Sequence, residues 1–552
     1  MKNYFILGIA LLCFTACKDR KNEGSASGDA LYKPRPKLVV GIVVDQMRYD
    51  YLPRFWHSYG EGGFKRMVAE GFNCKNNHFN YIPTYTAPGH ASVYTGTTPA
   101  YHGIIANNWY EKETDKMVYC TDDETVMPVG TTDNLGKMSP RRMQTTSVAD
   151  QLRLATQMQA KVIGISIKDR GAILAAGHTA NAAYWFRSGE EGHFITSSYY
   201  MNTLPDWVNA FNTSGKADEY IKVWNTLYDI DTYKESGPDN NPYEGKFNGE
   251  SAPVFPHDLP KLKAENDNYG ILNYTPFGNS LTTDFALAAI DGEKLGEDDI
   301  TDFLAISYSA TDYVGHRFGA HSKEVQDTYL RLDKDLERLF KALDEKVGKG
   351  NYTVFLTADH GAVHAPSYLQ SLKIPAGYFD GLAFRTKLDS FLTARFKTDK
   401  LIKNISNNQL FLDVETLKRL RLETETVEKA IAGEIRNYKD IAAVYTGTGM
   451  KTQNYTQGLG YVLQKGYHPK RSGNVLLVLD PAVVSYPETG STHGSGFTYD
   501  THVPLLFFGK GIRHGETTGR TEISDIAPTV SALLGIAFPN GATGNPIGEV
   551  ME

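Results

Sequence analysis

The sequence predicts an α/β fold: a largely parallel central sheet flanked by helices, with two insertions capping one face. Three observations carry this. Continuous apolar, β-branched runs recur along the chain, helical stretches separate them, and chemically versatile residues collect just past the ends of the runs. A length of 552 residues suits one large domain with insertions, and 41% hydrophobic with 22% charged residues is an ordinary globular composition. The formal net charge of −7 argues against nucleic-acid binding through bulk electrostatics.

Taken in order, Lys2 and the short apolar run over residues 4–16 read as an export signal. Small residues just before Cys17 resemble a lipoprotein processing site, while Phe14 at the third position before it keeps plain secretion open. Residues 1–17 are therefore expected to be a signal segment and 18–37, polar with Gly, Ser and Pro, a flexible tether. That leaves 38–552 as the functional domain, in contact with a membrane only through a possible lipid anchor, in the periplasm or at the outer membrane. No later apolar run approaches the roughly 18 residues a membrane span needs. Cys74 and Cys120 remain after the signal; in an oxidising compartment such a pair invites a disulfide, with two buried thiols as the alternative.

Residues 38–44 form an apolar run of the kind buried on both faces of a parallel sheet, and it ends at Asp45. The same grammar recurs at 161–166, which leads into Lys168, Asp169 and Arg170, and at 303–308, which leads into Asp312. It recurs again at 352–357, ahead of Asp359, His360 and Gly361, and at 503–508, preceded by a His-bearing loop. Helices are expected over 146–159, 280–291, 323–343 and 525–534. The intervals 180–276 and 362–466 break the alternation and are expected to cap the active face, the second with a helix at 427–437 and a strand at 409–414. In parallel α/β sheets ligands gather outside the carboxyl ends of the strands, where these polar residues fall.

Thr86 precedes an Ala-Pro pair and small residues able to open a helix. A hydroxyl there lies in the field of unpaired backbone N–H groups and the positive end of the helix dipole, which suits an alkoxide or a phosphoryl group; an ordinary N-cap is the competing reading. Asp45, Asp312, His316, Asp359, His360 and His493 supply three carboxylates and three imidazoles, a ligand set suited to Zn²⁺, with Mn²⁺ or Co²⁺ as substitutes. Asp312 and His316 are one helical turn apart, and Gly361 is expected to permit a backbone conformation closed to other residues. His493 sits in a Gly- and Ser-rich loop, with His502 as its rival.

In order, spacing and strand context, these residues resemble the alkaline phosphatase superfamily, in the branch of type I phosphodiesterases and nucleotide pyrophosphatases. They are most similar to the PafA-type bacterial alkaline phosphatases, from Asp45 to the Asp525-Ile-Ala-Pro-Thr529 segment. The resemblance implies two Zn²⁺ ions. Asp312, His316 and His493 would hold one; Asp45, Asp359 and His360 would hold the other, which also binds the Thr86 oxygen. It implies Thr86 as nucleophile through a phosphothreonine intermediate, and Asn107 as a phosphate ligand with Asn108 as the alternative. Lys168 and Arg170 match the monoesterases: two cations favour a dianionic phosphate monoester over a diester, and take the role that Mg²⁺ plays in some relatives. His90 and His102 read as structural.

The expected activity is thus hydrolysis of small phosphate monoesters. A phosphodiesterase on the same scaffold and a lipid-anchored phospho-ligand binding protein without turnover are the alternatives. A sulfatase is excluded, because Thr86-Ala-Pro-Gly-His90 lacks both the Cys or Ser and the Arg that a sulfatase motif requires.

Overall fold

The computed structural model describes residues 35–552, so the expected signal segment, Cys17 and most of the expected tether lie outside the described residues. Ten strands make the main sheet: β1 (Leu38–Val44), β2 (Phe72–His78), β3 (Pro128–Val129), β4 (Val162–Ser166), β5 (Ala182–Arg187), β6 (His193–Ser197), β7 (Asp302–Tyr308), β8 (Tyr352–Thr357), β9 (Leu505–Gly509) and β10 (Gly515–Glu522). Their order is β10-β2-β9-β8-β1-β7-β4-β5-β6-β3. The five central strands, β8-β1-β7-β4-β5, run parallel, and antiparallel partners extend the sheet on both sides. β1, β4, β7 and β8 are buried along their whole length, which is why each reads as an unbroken apolar run.

All four of these strands end at one edge, with Val44, Ser166, Tyr308 and Thr357 close to level across the sheet. β9 runs the other way, Leu505 opposite Thr357, so it begins where its neighbours end. The segment leading into β9 therefore reaches the same edge, and this is how residues some 450 positions apart in the chain can meet.

The predicted helices occur as Val148–Ala155, Pro276–Glu293, Lys323–Leu343 and Ile526–Leu534. Two boundaries differ from expectation. The interval from 180 begins with β5 and β6, whose apolar residues Tyr184, Trp185, Phe186 and Phe194 pack in the main core, so this part extends the sheet instead of capping it. The interval from 362 does contain Gln409–Leu412 and a helix at Thr424–Ile435, but its four-stranded antiparallel sheet closes only with Val475–Leu479. That sheet has its own core, including Leu388, Leu392, Val427, Ile431 and Val475.

The disulfide expectation does not hold. Cys74 lies on β2 in the main core, whereas Cys120 packs with Ala87, Ile104 and Trp109 in a separate cluster, and both are buried free thiols.

Candidate active site

Three helices start at the carboxyl edge of the sheet: α1 (Thr86–Thr95), α2 (Asp169–Ala176) and α3 (Ala310–Phe318). Thr86 is the first residue of α1, which is buried throughout, and the N-cap residue, Tyr85, makes no side-chain cap bond. The N-cap reading of Thr86 therefore fails: the cap position belongs to Tyr85, and the Thr86 hydroxyl lies 3.5 Å from His360 Nε2.

The three predicted histidine ligands share one arrangement. His316 Nδ1 donates to the Ser491 carbonyl at 2.7 Å, His493 Nδ1 to the Thr84 carbonyl at 2.7 Å, and His360 Nδ1 to the Gly361 carbonyl at 3.0 Å. A carbonyl can only accept, so each Nδ1 carries a proton and Nε2 is the atom each ring turns to the site. Those Nε2 atoms face carboxylates: His316 to Asp312 Oδ1 at 3.1 Å, His493 to the same oxygen at 3.7 Å, and His360 to Asp45 Oδ1 at 3.5 Å. The His360 and His493 rings stack with centroids 3.4 Å apart, which brings the two halves of the site together.

Among the described residues, two groups of ligand atoms are compact enough to surround an ion: Asp312, His316 and His493, and Asp45, Asp312 and His360. The first is the predicted set. In the second, Asp312 stands where Asp359 was expected; Asp359 Oδ2 lies 3.6 Å from His360 Nε2.

A cation fits the charges. Asp45 Oδ1 and Asp359 Oδ2 are buried without a hydrogen-bond partner. Burial, and then the neighbouring Asp45, push the Asp359 carboxyl well above the usual range, a conflict that a positive ion removes. Burial holds His360 down at about 3, and burial followed by His360 keeps His493 well below its ordinary value, so both are neutral imidazoles, the form that binds metal. Burial would raise the Asp312 carboxyl as well, but His316 and Lys168 outweigh it and hold it well below the usual range.

Lys168 is buried, its ammonium donating to Asp45 Oδ2 at 2.7 Å and Asp312 Oδ2 at 2.6 Å, so it spans the two groups. Arg170, in the first turn of α2, donates from Nη1 to the Tyr119 hydroxyl at 3.0 Å, while its Nε is buried without a partner. Asn107 Oδ1 accepts the Ala87 N–H at 2.8 Å, which ties this amide to the residue after Thr86 and leaves its NH₂ group free to face a ligand. Asn108 is exposed on a hairpin strand, so geometry separates the two candidates.

His502 is no rival to His493: it stacks between Tyr49 and His78 and bonds the Lys75 carbonyl at 2.9 Å. His90 bonds the Thr86 carbonyl and the Ser307 hydroxyl, each at 2.9 Å, and His102 bonds the Ser92 hydroxyl at 2.9 Å; both are buried supports. Gly361 does not take a left-handed conformation. A side chain there would meet the Tyr499 carbonyl at 2.3 Å, so close packing requires the glycine. In the His493 loop, Gly490 has φ +81° and would meet the His316 carbonyl at 1.9 Å.

Sequence reasoning missed Gln46. It has φ 63°, and its backbone N–H donates to Asp359 Oδ1 at 3.1 Å while its side-chain amide donates to Asp312 Oδ1 at 2.6 Å. Its one signal was adjacency to Asp45.

The fold and these paired Asp and His groups define a class, and comparison with known proteins agrees with it. The profile of the type I phosphodiesterase / nucleotide pyrophosphatase family matches residues 39–502, and the chain belongs to this family. Alkaline phosphatase PafA of Elizabethkingia meningoseptica is 47% identical over 522 residues, 94% of this chain and 95% of the relative. A Myroides odoratus protein named calcium-transporting ATPase is also 47% identical, over 523 residues, with 94% and 95% covered. The crystal structure of wild-type alkaline phosphatase PafA superposes with a TM-score of 0.91 at 47% identity, covering 94% of this chain and all (100%) of that one.

Proposed function

We propose that this chain is a phosphate monoester hydrolase that works through Thr86 at a two-zinc site. The observation that carries the reading is the convergence of three imidazole Nε2 atoms and three carboxylates beside the Thr86 hydroxyl, at one edge of the sheet. Two alkaline phosphatase comparisons that span nearly the whole chain support it.

Asp312, His316 and His493 would hold one Zn²⁺, and Asp45, Asp359 and His360 the other. Bound zinc supplies Lewis acidity, which lowers the pKa of a hydroxyl and offsets charge on attacking and leaving oxygens. The chain's own groups do the rest. Thr86 Oγ attacks phosphorus and displaces the alcohol; water then displaces Thr86 Oγ from the phosphothreonine and releases inorganic phosphate. The start of α1 favours negative charge at Thr86, and the Asn107 amide, fixed through Ala87, donates to a nonbridging oxygen. Lys168 and Arg170 meet the remaining oxygens, and their two positive charges favour a dianion.

The matched family's description includes phosphodiesterases, which keeps a diesterase as the second reading; Lys168 and Arg170 count against it. Relative rates on p-nitrophenyl phosphate and its bis-ester, with metal content measured on the same preparation, test both. Dominant diester turnover, or full monoester turnover by Thr86→Ala, overturns the proposal.

Export also belongs to this reading, resting on Lys2, the apolar run and Cys17, with residues 38–552 as the catalytic domain. Among the described residues no helix is long and apolar enough to cross a membrane. The mass of the mature N-terminus checks cleavage and lipidation.

A further inference from the structure

A cleft of about 190 Å³ is lined by Lys168 and Arg170 and by none of the paired Asp and His groups. Arg187, the last residue of β5, lines it too, with Tyr119, Asn273 and Tyr313. Arg187 is well anchored: Nη1 donates to the Ser188 carbonyl at 2.7 Å, and Nη2 to Asp133 Oδ2 at 2.7 Å. Its Nε is buried and bonds nothing, as is the Nε of Arg170 across the cleft. Two guanidinium groups thus line one small space, each with a desolvated N–H donor and no acceptor for it. Such a donor costs free energy unless a ligand supplies the oxygen.

Charge points the same way. Of the three cations that line the cleft, Lys168 is paired with Asp45 and Asp312 and Arg187 with Asp133, whereas the Arg170 guanidinium bonds no carboxylate among the described residues: Asp169 Oδ1 accepts instead from the Tyr119 hydroxyl at 2.6 Å and the Arg170 backbone N–H at 2.5 Å. Tyr313 follows Asp312 in the chain and lies under the Lys168 ammonium, which stands 4.7 Å from the ring centroid. Lys168 and Arg170, the side chains expected to meet the reacting phosphoryl group, are thus part of the cleft's own lining.

We infer that the space between Arg170 and Arg187 is a subsite for a second anionic group, phosphoryl or carboxylate, on the ester being hydrolysed. The inference rests on the monoesterase reading and narrows its substrate class: small phosphate esters with a second anion a few bonds from the first are preferred. Asn273 Oδ1, buried and without a donor, suits a hydroxyl on the carbon skeleton between the two.

The test uses the full-length, metal-loaded enzyme with three substrates: glycerol 1-phosphate, which lacks a second anion; pyrophosphate, which offers a phosphoryl; and phosphoenolpyruvate, which offers a carboxylate. Arg187→Gln removes the charge and keeps an amide able to bond Asp133; Arg187→Ala removes both. The expected result is a KM about tenfold higher for pyrophosphate or phosphoenolpyruvate in both variants, the loss of one charge-assisted hydrogen bond. Glycerol 1-phosphate kinetics stay within about twofold. The substrate that responds identifies the group. Equal effects on all three substrates, or none, overturn the inference, whereas a wild-type enzyme inert toward glycerol 1-phosphate, phosphoenolpyruvate and p-nitrophenyl phosphate alike overturns the monoesterase reading beneath it.

Discussion

Arg170→Ala asks which phosphoryl oxygens the site is built to hold. The Lys168 ammonium has three protons, two of which go to Asp45 and Asp312 at 2.7 and 2.6 Å, leaving one for a ligand. Arg170 spends Nη1 on Tyr119, and its Nε–H has no partner, so the guanidinium has more to offer than the lysine. A hydrogen bond to a charged group contributes about 1.5–3 kcal/mol, so a guanidinium serving a dianion is expected to supply roughly 2–4 kcal/mol of transition-state binding. That converts to a loss of about 30- to 1,000-fold in kcat/KM for p-nitrophenyl phosphate. A diester presents one less negative charge, so its loss is expected to stay within about tenfold. Lys168→Ala is the poorer probe: its ammonium bonds both Asp45 and Asp312, so the change disturbs the proposed metal ligands along with substrate binding. The assay is kcat/KM on the mono- and bis-p-nitrophenyl esters for wild type and Arg170→Ala. Equal losses on both would refute the reasoning, because the arginine would then serve the fold or both substrates alike.

Chelation is expected to abolish turnover and lower the Tm, with zinc restoring both; a ligand present at about 1,000 times its Kd stabilises by about 4 kcal/mol. His493→Ala should remove most of the activity, whereas His502→Ala should leave kcat unchanged and lower only the Tm, a contrast read from one kinetic and one melting series. Gly315→Ala puts a methyl 2.0 Å from Gln46 Oε1 and displaces the amide that holds Asp312, so kcat/KM should fall about tenfold with little change in Tm. Stability itself should fall at alkaline pH. Burial opposes protonation of His257, but Glu250 and Glu324, at 2.6 and 3.3 Å, outweigh it and raise its pKa to about 9. A raised histidine stabilises the fold fully below its unfolded value near 6.5, and that stabilisation, on the order of 2–3 kcal/mol, is lost as pH climbs through about 9. The Tm should drop over that range in wild type, and the drop should shrink in His257→Gln.

Much of the site was legible because burial leaves a clear trace. β1, β4, β7 and β8 are covered on both faces, so each is an unbroken apolar run whose end marks the ligand edge. β2 and β10 escaped notice because their sequences, Phe-Asn-Cys-Lys-Asn-Asn-His and Gly-Glu-Thr-Thr-Gly-Arg-Thr-Glu, are polar, and β10 is an exposed edge strand. β5 and β6 were hidden in an interval rich in aromatic and polar residues, where no period stood out. In the site, Asp and His declared themselves by chemistry and position. Gln46 did not, since its role depends on a left-handed backbone that no residue type announces. The choice between His493 and His502 likewise needed coordinates, because both lie in the segment leading into β9 and only the path of the chain separates them.

The histidine anchors have a consequence for how the centre tolerates change. His316, His493 and His360 are each steered by a main-chain oxygen, at Ser491, Thr84 and Gly361. Every residue type possesses that oxygen, so drift at positions 84 and 491 can alter the surroundings without deleting a guide. The imidazoles are thereby aimed before any ion arrives, and a chain stripped of its metal should regain it with little rearrangement.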